Sequence, residues 1–518
     1  MSRSATLTFG CKWTSRRFGS LASGILDLGL LTGAAELCSV VRNDLLTTGS
    51  CSGCVSLSMA PIAYYLFLLA NAMLFVRPGE IMPALGDIQL YLMCITGAML
   101  FSIPDLHNQL RLKTLRQQPV NLCVIGVTLC IVVSRLSVGR LDGTDSLFTS
   151  MLKVALYYLV LVAVITTPDR MRYFLMTTAI CATLMIAYSI VDYRSFVDEW
   201  MNRDDMVEVI YQENRLPPEE RKIMRHVPDR NGADIYGNEI FFFRLCGLGI
   251  FHDPNDVSLL IVATCIISLY FLTDSRLDGI RFLWLIPLAV GGIALYYTYS
   301  RGGLLAAGVG LMAWLSTRYG GKVALTIGIL CAMAVPVALG RAGNIDISSG
   351  TGQNRIQHWS DGLTAIRSTR AIFGIGAGNY LDVSSHVAHN SYVHSFVELG
   401  IVGGTFFFGC FFLPAYAFFL MKRFNFTIHN PELRRLFPYV AAIMAEWCMG
   451  MCTLSRCYVP STYMVAGLGA AFVNLAGFYQ PRPRPLIILN RWTTIIWWTA
   501  SMLLLGGAYV FVRLFVRW

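Results

Sequence analysis

Long runs of apolar residues, almost free of charge, recur along this chain and restrict what it can fold into. Two of them are LLIVATCIISLYFL (259–272) and IIWWTASMLLLGGAYVFV (495–512). A helix of about 20 apolar residues is long enough to cross the hydrocarbon core of a bilayer. Only 14% of the 518 residues are charged, whereas soluble domains carry about 25%. The sequence therefore predicts an all-α polytopic membrane protein.

The hydropathy pattern predicts about 12–13 transmembrane helices. The candidate spans are 57–76, 88–104, 119–138, 148–166, 171–191, 257–273, 281–299, 302–317, 322–340, 391–421, 436–455, 461–479 and 493–512. A helix satisfies its backbone hydrogen bonds internally, as the bilayer interior requires. The predicted architecture is a helical bundle with two long connectors.

Basic residues fall in every second connector and in the N-terminal tail. They include Arg111 after the second span, Arg170 after the fourth and Arg276 after the sixth. Cationic connectors face the cytoplasm in membrane proteins. We therefore assign the net charge of +10 to these connectors and to contacts with anionic membrane lipid, not to nucleic acid. The basic C-terminal end, VRLFVRW, departs from the alternation.

The alternation divides the chain into six parts. They are a cytoplasmic tail (1–56), N-terminal transmembrane helices (57–191), an extracytoplasmic loop (192–256), central transmembrane helices (257–340), a second extracytoplasmic loop (341–388) and C-terminal transmembrane helices (389–518). Long connectors gathered on one face of a bundle usually build a site. The sequence predicts a functional site at the outer face.

The first polar segment at this face is FRLCGLGIFHDPNDVSLL (243–260). Pro254 and its polar neighbours predict a turn that caps the next helix, with Asn255 or Asp256 as the N-cap. Capping does not account for Arg244, a cation beside the membrane in a stretch rich in Gly and Phe. A metal site in HDPND lacks a complementary set of ligands, so we predict no metal.

The second segment is YYTYSRGGLLA (296–306), in which Arg301 lies where two apolar spans meet in a tight turn. Such an arginine can be an interfacial anchor whose side chain extends to the headgroups. The glycines beside it, however, let other groups approach closely. A guanidinium also fits two phosphate oxygens at once. We favour a binding function over anchoring.

The third segment is AHNSYVHSFVELG (388–400), which follows GIGAGNY. GIGAGNY lacks the βαβ context of a nucleotide loop, so a flexible or close-packed loop is predicted. On a helix that starts near residue 389, Asn390, His394 and Glu398 share one face. Periodicity alone favours His394 and Glu398 as the working pair and makes His389 a packing residue at the helix end. Ionisable groups in membrane spans indicate either function or a buried salt bridge.

Together these segments resemble the O-antigen ligase and polymerase superfamily of bacterial membrane proteins. The motifs are RLCGLGIFHDPNDVSLL, YTYSRGGLLA, and GIGAGNYL followed by HNSYVHSFVELGIVGG, and their order and spacing also match. LLANAMLFVRPGEIMPAL (68–85) is similar to the O-antigen ligase-like, or O-glycosylation ligase, subgroup. The resemblance is strongest over residues 240–410 and weak over 1–56 and the last three spans.

The resemblance implies a C-type glycosyltransferase fold in the bacterial inner membrane, with its active site on the periplasmic face. Such enzymes take a glycan from a polyprenyl (undecaprenyl) diphosphate carrier and attach it to lipid A core, another glycan or a protein. They are regarded as needing no metal or other cofactor. The family's two diphosphate-binding arginines correspond to Arg244 and Arg301, and its essential histidine corresponds to His389. Glu398, in ELG, also matches a family position.

The chemistry is consistent with these residue types. Two preorganised arginines can stabilise the charge that builds on a leaving diphosphate without a divalent ion. Histidine, with an unperturbed pKa of about 6.5, suits removal of the acceptor's proton. Attack opposite the diphosphate predicts inversion at the anomeric carbon. We therefore expect His389 to lie nearer to Arg244 and Arg301 than His394 does.

Three functions remain open, of which ligase-type glycosyl transfer is preferred. A polysaccharide polymerase would use the same donor and need a groove for the growing glycan. The second loop offers side chains for either role: Arg341, Arg355, His358, Trp359, Arg367 and Tyr380. A transporter or flippase would show inverted repeats with broken helices at the midplane. The polar residues gather at one face instead, which disfavours transport.

Overall fold

The computed structural model describes residues 60–81, 88–140, 143–203, 206–215, 225–233, 239–329, 351–367 and 369–516. The predicted cytoplasmic tail lies outside these residues, as do the start of the second loop and the end of the predicted span 322–340. From Ile62 onwards the described residues belong to one compact unit.

Almost all described secondary structure is helical, which confirms the all-α polytopic class. The first nine helices are α1 (Ala60–Val76), α2 (Pro78–Ile81), α3 (Leu90–Phe101), α4 (Ile103–Leu110), α5 (Leu112–Gln117), α6 (Pro119–Ser137), α7 (Thr144–Val164), α8 (Pro168–Met201) and α9 (Met206–Arg215). A hairpin of β1 (Val227–Ala233) and β2 (Glu239–Arg244) follows. The later helices are α10 (Pro254–Leu272), α11 (Leu285–Thr298), α12 (Arg301–Tyr319), α13 (Thr351–Ala365), α14 (Ser391–Arg423), α15 (Pro431–Gly450), α16 (Pro460–Phe478) and α17 (Arg491–Phe515).

Nine helices among the described residues are long and apolar enough to cross a membrane, and the pair α3 and α4, bent by 71°, makes up to ten. The predicted spans 302–317 and 436–455 correspond to α12 and α15, which are not among the nine. Glycines and charged residues lower the hydropathy of these two helices. They pack closely: a Cβ on Gly310 would lie 3.0 Å from Cβ of Glu446.

The basic connectors meet at one end of the bundle. The backbone N–H of Leu489 donates to the carbonyl of Arg116 at 2.7 Å, which joins the connectors after the second and twelfth predicted spans. Buried Asp274 pairs with Arg172 at 3.1 Å and with Arg435 at 2.7 Å, which joins three further connectors. The polar segments identified in the sequence lie at the other end, where α10, α12 and α14 begin.

Both predicted outer loops contain regular structure. The first begins inside α8, which continues to Met201 instead of ending near residue 191. Aromatic side chains on its last turns, including Tyr193 and Phe196, pack against the hairpin and sustain the extension. In the hairpin, Val227 pairs with Arg244. The second loop contains α13 and two short 3-10 turns.

The GIGAGNY loop is close-packed against a break in α14. Gly400 interrupts that helix with φ +68°, and the backbone N–H of Gly376 donates to the carbonyl of Glu398 at 3.1 Å. A Cβ on Gly374, whose φ is +81°, would lie 2.2 Å from the same carbonyl oxygen, so only glycine fits there. Buried Arg135 on α6 donates to the carbonyl of Ala377 at 2.9 Å. The loop therefore fixes the start of α14.

Candidate active site

Arg244, the last residue of β2, is held by three neighbouring segments. Its Nε donates to the carbonyl of Thr298 at 2.9 Å, and its Nη2 donates to Oδ1 of Asn255 at 3.1 Å. Nη1 lies 3.7 Å from Oδ2 of Asp229 on the adjacent strand. The side chain is only 16% exposed. Its guanidinium is therefore fixed at the junction of β2, α10 and the end of α11.

The N-cap of α10 is Asp253, not Asn255 or Asp256 as the sequence predicts. Oδ1 of Asp253 accepts from the backbone N–H of Asn255 at 2.7 Å, and Pro254 occupies the first helical position, where its missing N–H costs nothing. The side chain of Asn255 is thereby left to bind Arg244. Buried Asp256 forms an ion pair with Arg456, a residue that the sequence-based prediction missed.

The Ser-Arg-Gly-Gly turn joins this arrangement through Ser300, the N-cap of α12. Its Oγ accepts from the N–H of Gly303 at 3.0 Å and donates to Oδ1 of Asn255 at 2.7 Å. A Cβ on Gly303 would lie 2.4 Å from Oγ of Ser258, so the glycine permits the close approach that the sequence predicts. Arg301, the first residue of α12, is exposed at this junction.

Arg355 brings a third guanidinium to this region from α13. Burial lowers the pKa of Arg355, and the charges of Arg244 and Arg301 lower it further, whereas Asp253 raises it. Arg355 therefore lies within electrostatic range of Arg244, Arg301 and Asp253. The sequence-based prediction includes Arg355 as a supporting residue of the site, in the second loop. The fold therefore brings Arg355 near Arg244 and Arg301, the two arginines of the predicted site.

His389 lies outside α14, two residues before the helix begins, and the predicted span 391–421 has the observed first residue. The helix begins at Ser391, and Oδ1 of Asn390 caps it by accepting the backbone N–H groups of Tyr392 and Val393 at 3.0 and 3.1 Å. His389 has a φ of +48°, which is uncommon for a residue with a side chain. The helical spacing that made His389 a packing residue therefore does not apply.

The electrostatic surroundings of His389 connect it to the arginines. Burial, followed by the charge of Arg355, lowers the pKa of His389 to about 4 against the opposing effect of Asp253. Arg355 in turn interacts with Arg244 and Arg301. The imidazole is thus neutral at ordinary pH and lies beside a cationic cluster.

His394 and Glu398 form the pair that periodicity predicts, but inside the bundle. Nε2 of His394 lies 3.1 Å from Oε1 of Glu398, and Tyr458 donates to Oε2 at 2.9 Å. Tyr380 stacks on the imidazole with ring centroids 5.0 Å apart and donates its N–H to Oε1 at 3.3 Å. The pair is enclosed by these two tyrosines and links α14 to its neighbours.

A second group of polar side chains lies next to His389 along α13. Nδ1 of His358 is 2.9 Å from Oγ of Ser384, which donates to Oδ2 of Asp361 at 3.0 Å. The ring of exposed His386 lies 5.4 Å from that of His358. The charge of a protonated His358 or His386 would lower the pKa of His389, after the larger effects of burial and Arg355. This group, His358, Asp361, Ser384 and His386, is called the α13 polar group below.

A cavity of about 490 Å³ lies where α1 ends and α3 begins. Its lining is mixed, with Leu74 and Leu90 on the apolar side and the ion pair Arg77–Glu80 on the polar side. The N–H of Gly249 donates to Oε2 of Glu80 at 3.0 Å, which connects the cavity wall to the DPND segment. A mixed lining of this kind suits part of an amphiphilic molecule. Among the described residues, no three His, Cys, Asp or Glu side chains converge as metal ligands would.

Residues 286–408 match the family whose description is O-antigen ligase. The match confirms the resemblance over the segment that contains Arg301, Arg355, His389 and Glu398. Arg244 precedes the matched segment and hydrogen-bonds the carbonyl of Thr298 within it. A search of curated proteins found no significant match.

Proposed function

We propose that this chain, whose residues 286–408 match the O-antigen ligase family, is a ligase-type membrane glycosyltransferase. It takes an oligo- or polysaccharide from a polyprenyl (undecaprenyl) diphosphate carrier and transfers it to a lipid or protein acceptor. The reaction takes place at the outer face of the bacterial inner membrane. The supporting observation is the convergence of Arg244, Arg301 and Arg355 beside His389.

The arginines supply what departure of a diphosphate requires. Negative charge builds on the leaving group as the glycosidic bond breaks, and fixed guanidiniums stabilise it where water is partly excluded. The hydrogen bonds from Arg244 to Thr298 and Asn255 hold its guanidinium before substrate binds. Preorganised cations need no divalent ion to perform this role. Transfer should therefore persist in EDTA, and strict dependence on a divalent ion would contradict the proposal.

His389 serves as the general base. The acceptor hydroxyl loses its proton as it attacks the anomeric carbon, and a neutral imidazole can take that proton. The lowered pKa of His389, caused first by burial and then by Arg355, keeps the imidazole unprotonated at neutral pH. Attack from the face opposite the diphosphate inverts the anomeric configuration.

The α13 polar group is placed to receive the acceptor. It presents two imidazoles, one hydroxyl and one carboxylate, and these groups hydrogen-bond hydroxyls better than they bind a diphosphate. His358 and His386 of this group lie within electrostatic range of His389, as does Arg355. In this proposal the guanidiniums bind the donor diphosphate and the α13 polar group binds the acceptor hydroxyls.

The location of the site follows from the distribution of charge. The basic connectors joined by Asp274 and its arginines lie at the opposite end of the bundle, and the positive-inside rule assigns that end to the cytoplasm. The arginine cluster and His389 accordingly face the periplasm. A labelling experiment on His386→Cys with a membrane-impermeant thiol reagent in intact spheroplasts tests this orientation; protection until lysis would contradict it.

Glycoconjugates extracted from a deletion strain test the reaction type. A ligase leaves long glycans attached to the lipid carrier, whereas a polymerase leaves single repeat units. The strain is complemented with the wild type, Arg301→Ala or His389→Ala, and membrane insertion of each variant is verified. Restoration by Arg301→Ala or His389→Ala as complete as by the wild type would refute the assigned site.

A further inference from the structure

His226 is a fully buried histidine at the base of the hairpin, and no step of the proposed reaction uses it. Its Nδ1 accepts from the backbone N–H of Cys246 at 3.1 Å, and its Nε2 lies 3.3 Å from Oδ2 of Asp192. The ring meets Tyr193 and Phe196 edge-on, with centroids 5.2 and 5.1 Å away. Nδ1 is therefore hydrogen-bonded, Nε2 lies within ion-pair distance of a carboxylate, and two aromatic rings pack against the imidazole.

These contacts fix the tautomer of His226. An amide N–H can only donate, so Nδ1 must present its lone pair to Cys246 and the ring proton must be on Nε2. That proton lies near the carboxylate of Asp192, which attracts it electrostatically. Burial lowers the pKa of His226 to about 4, although Asp192 opposes the shift, so the neutral ring that accepts from Cys246 persists at ordinary pH.

The backbone on both sides of Arg244 is held by the same group of residues. Tyr193 donates its hydroxyl to the carbonyl of Phe243 at 2.8 Å, on the N-terminal side of Arg244. Arg225 donates to Asp192 at 2.7 Å and to the carbonyl of Gly247 at 3.3 Å. His226 holds Cys246 between these two points. Residues 243–247 therefore rest on a fixed support that is built from the end of α8 and the start of β1.

We propose that His226, oriented by Asp192, is a positioning residue for Arg244. The inference rests on the proposed function, in which Arg244 binds the donor diphosphate. Arg244 reaches Thr298 and Asn255 only while its backbone keeps its place, and His226 supplies the acceptor for the N–H two residues beyond it. A displacement of the guanidinium by about 1 Å is enough to weaken a preorganised charge contact severely.

Two conservative variants separate positioning from simple packing. The Oδ1 of asparagine lies close to where Nδ1 lies, so His226→Asn can still accept from Cys246. The amide of glutamine reaches toward Nε2, so His226→Gln can still donate to Asp192 but leaves Cys246 without its acceptor. If the imidazole of His226 only filled space, asparagine and glutamine would replace it equally poorly.

The experiment measures binding of undecaprenyl diphosphate to the full chain in lipid nanodiscs, together with thermal unfolding. We expect His226→Asn to bind within about threefold of the wild type and His226→Gln about tenfold more weakly, since one buried hydrogen bond is lost. The control is His429→Gln, at an exposed histidine at the opposite end of the bundle, which should bind normally.

The outcomes distinguish the inference from the proposed function. Equal loss in His226→Asn and His226→Gln, in step with lower thermal stability, would reduce His226 to a packing residue and overturn the inference. Normal binding by His226→Gln, together with weak binding by Arg244→Ala, would also overturn it while preserving the role of Arg244. Normal binding by Arg244→Ala would instead reject the proposed donor contact.

Discussion

Oδ1 of Asn255 accepts from Nη2 of Arg244 at 3.1 Å and also from Oγ of Ser300 at 2.7 Å. One amide oxygen thus joins the end of β2 to the beginnings of α10 and α12. Ser300 directly precedes Arg301. Asn255 therefore links the two arginines that the family resemblance assigns to the diphosphate. Asn255 sets their relative position without carrying a charge of its own.

Replacing Asn255 by aspartate should impair donor binding more than replacing it by alanine. The carboxylate of Asn255→Asp would keep both hydrogen bonds but would compete with the diphosphate for Arg244. We expect KM for the donor to rise about tenfold in Asn255→Ala and further in Asn255→Asp, because charged hydrogen bonds contribute about 1.5–3 kcal/mol. Steady-state transfer in nanodiscs measures both, with exposed Asn108→Asp as the control. A smaller effect of aspartate than of alanine would contradict this role.

Alanine at the two histidines of the third segment should produce opposite defects. His389→Ala should lose transfer while its thermal stability stays near the wild-type value, because the imidazole is the proposed base. His394→Ala should lose stability, by about 3 kcal/mol, since it leaves Glu398 buried without a charge partner. Parallel measurement of transfer and thermal unfolding separates the two. Full transfer by His389→Ala, together with a stable but inactive His394→Ala, would reverse the assignment.

The rate of transfer should fall on the acidic side only at an unusually low pH. Because the pKa of His389 is lowered to about 4, first by burial and then by Arg355, the neutral base persists well below the usual histidine range. kcat/KM for the donor should therefore be flat around neutrality and fall only as the pH approaches about 4. The negative charge of bound diphosphate favours the protonated ring, so kcat should begin to fall at a higher pH than kcat/KM does. An acid limb of kcat/KM near 6.5 in correctly folded protein would exclude this environment.

Gly303 and Gly308 provide a matched pair of substitutions on α12. A Cβ at Gly303 would lie 2.4 Å from Oγ of Ser258, whereas a Cβ at Gly308 would meet nothing within 4 Å. Gly303→Ala should displace the start of α12 and with it Arg301, at a stability cost of about 1–3 kcal/mol and with a clear loss of transfer. Gly308→Ala should be neutral or slightly stabilising. Equal activity of the two variants would show that the close approach is unimportant.

Much of the bundle could be predicted from the sequence because apolar runs and basic connectors are local signals. The positions of individual site residues depended on capping and on contacts distant in sequence. Asp253, not Asn255, is the N-cap of α10 because its carboxylate accepts the first free N–H, and Asn390 caps the start of α14, so that His389 lies before the helix. The spacing of residues in the sequence does not determine which residue caps either helix.

Arginines at the end of the bundle opposite the basic connectors are the signal that could have found more of the site. The positive-inside rule leaves few reasons for a cation there. Arg456 follows α15 at that end and pairs with buried Asp256, and Arg355 joins the cluster from a loop with several other cations. Each is an exception to the pattern in which every second connector is basic. Their partners, however, lie far away in sequence, so only the fold shows which of them share a site.

Arg135 is a further arginine at the end of the bundle opposite the basic connectors, and its role is predicted to be structural. Its Nη1 donates to the carbonyl of Ala377 at 2.9 Å and to Oδ1 of Asn379 at 2.8 Å, so it holds the loop that packs on the break in α14. Arg135→Met should lower the free energy of unfolding by about 2–3 kcal/mol, because both acceptors are buried. Arg140→Met is the matched control. Arg140 pairs with Asp382, but both side chains are at least half exposed, and such a pair contributes about 1 kcal/mol or less.

The two variants can be compared by thermal unfolding and by limited proteolysis of the segment between α13 and α14. Arg135→Met should unfold earlier and expose that segment to cleavage, whereas Arg140→Met should resemble the wild type in both. Transfer should fall in Arg135→Met in proportion to the fraction with a displaced loop, because Ala388 and His389 follow it directly. Normal stability of Arg135→Met with abolished transfer would instead identify Arg135 as part of the substrate site and extend the cationic cluster toward α6.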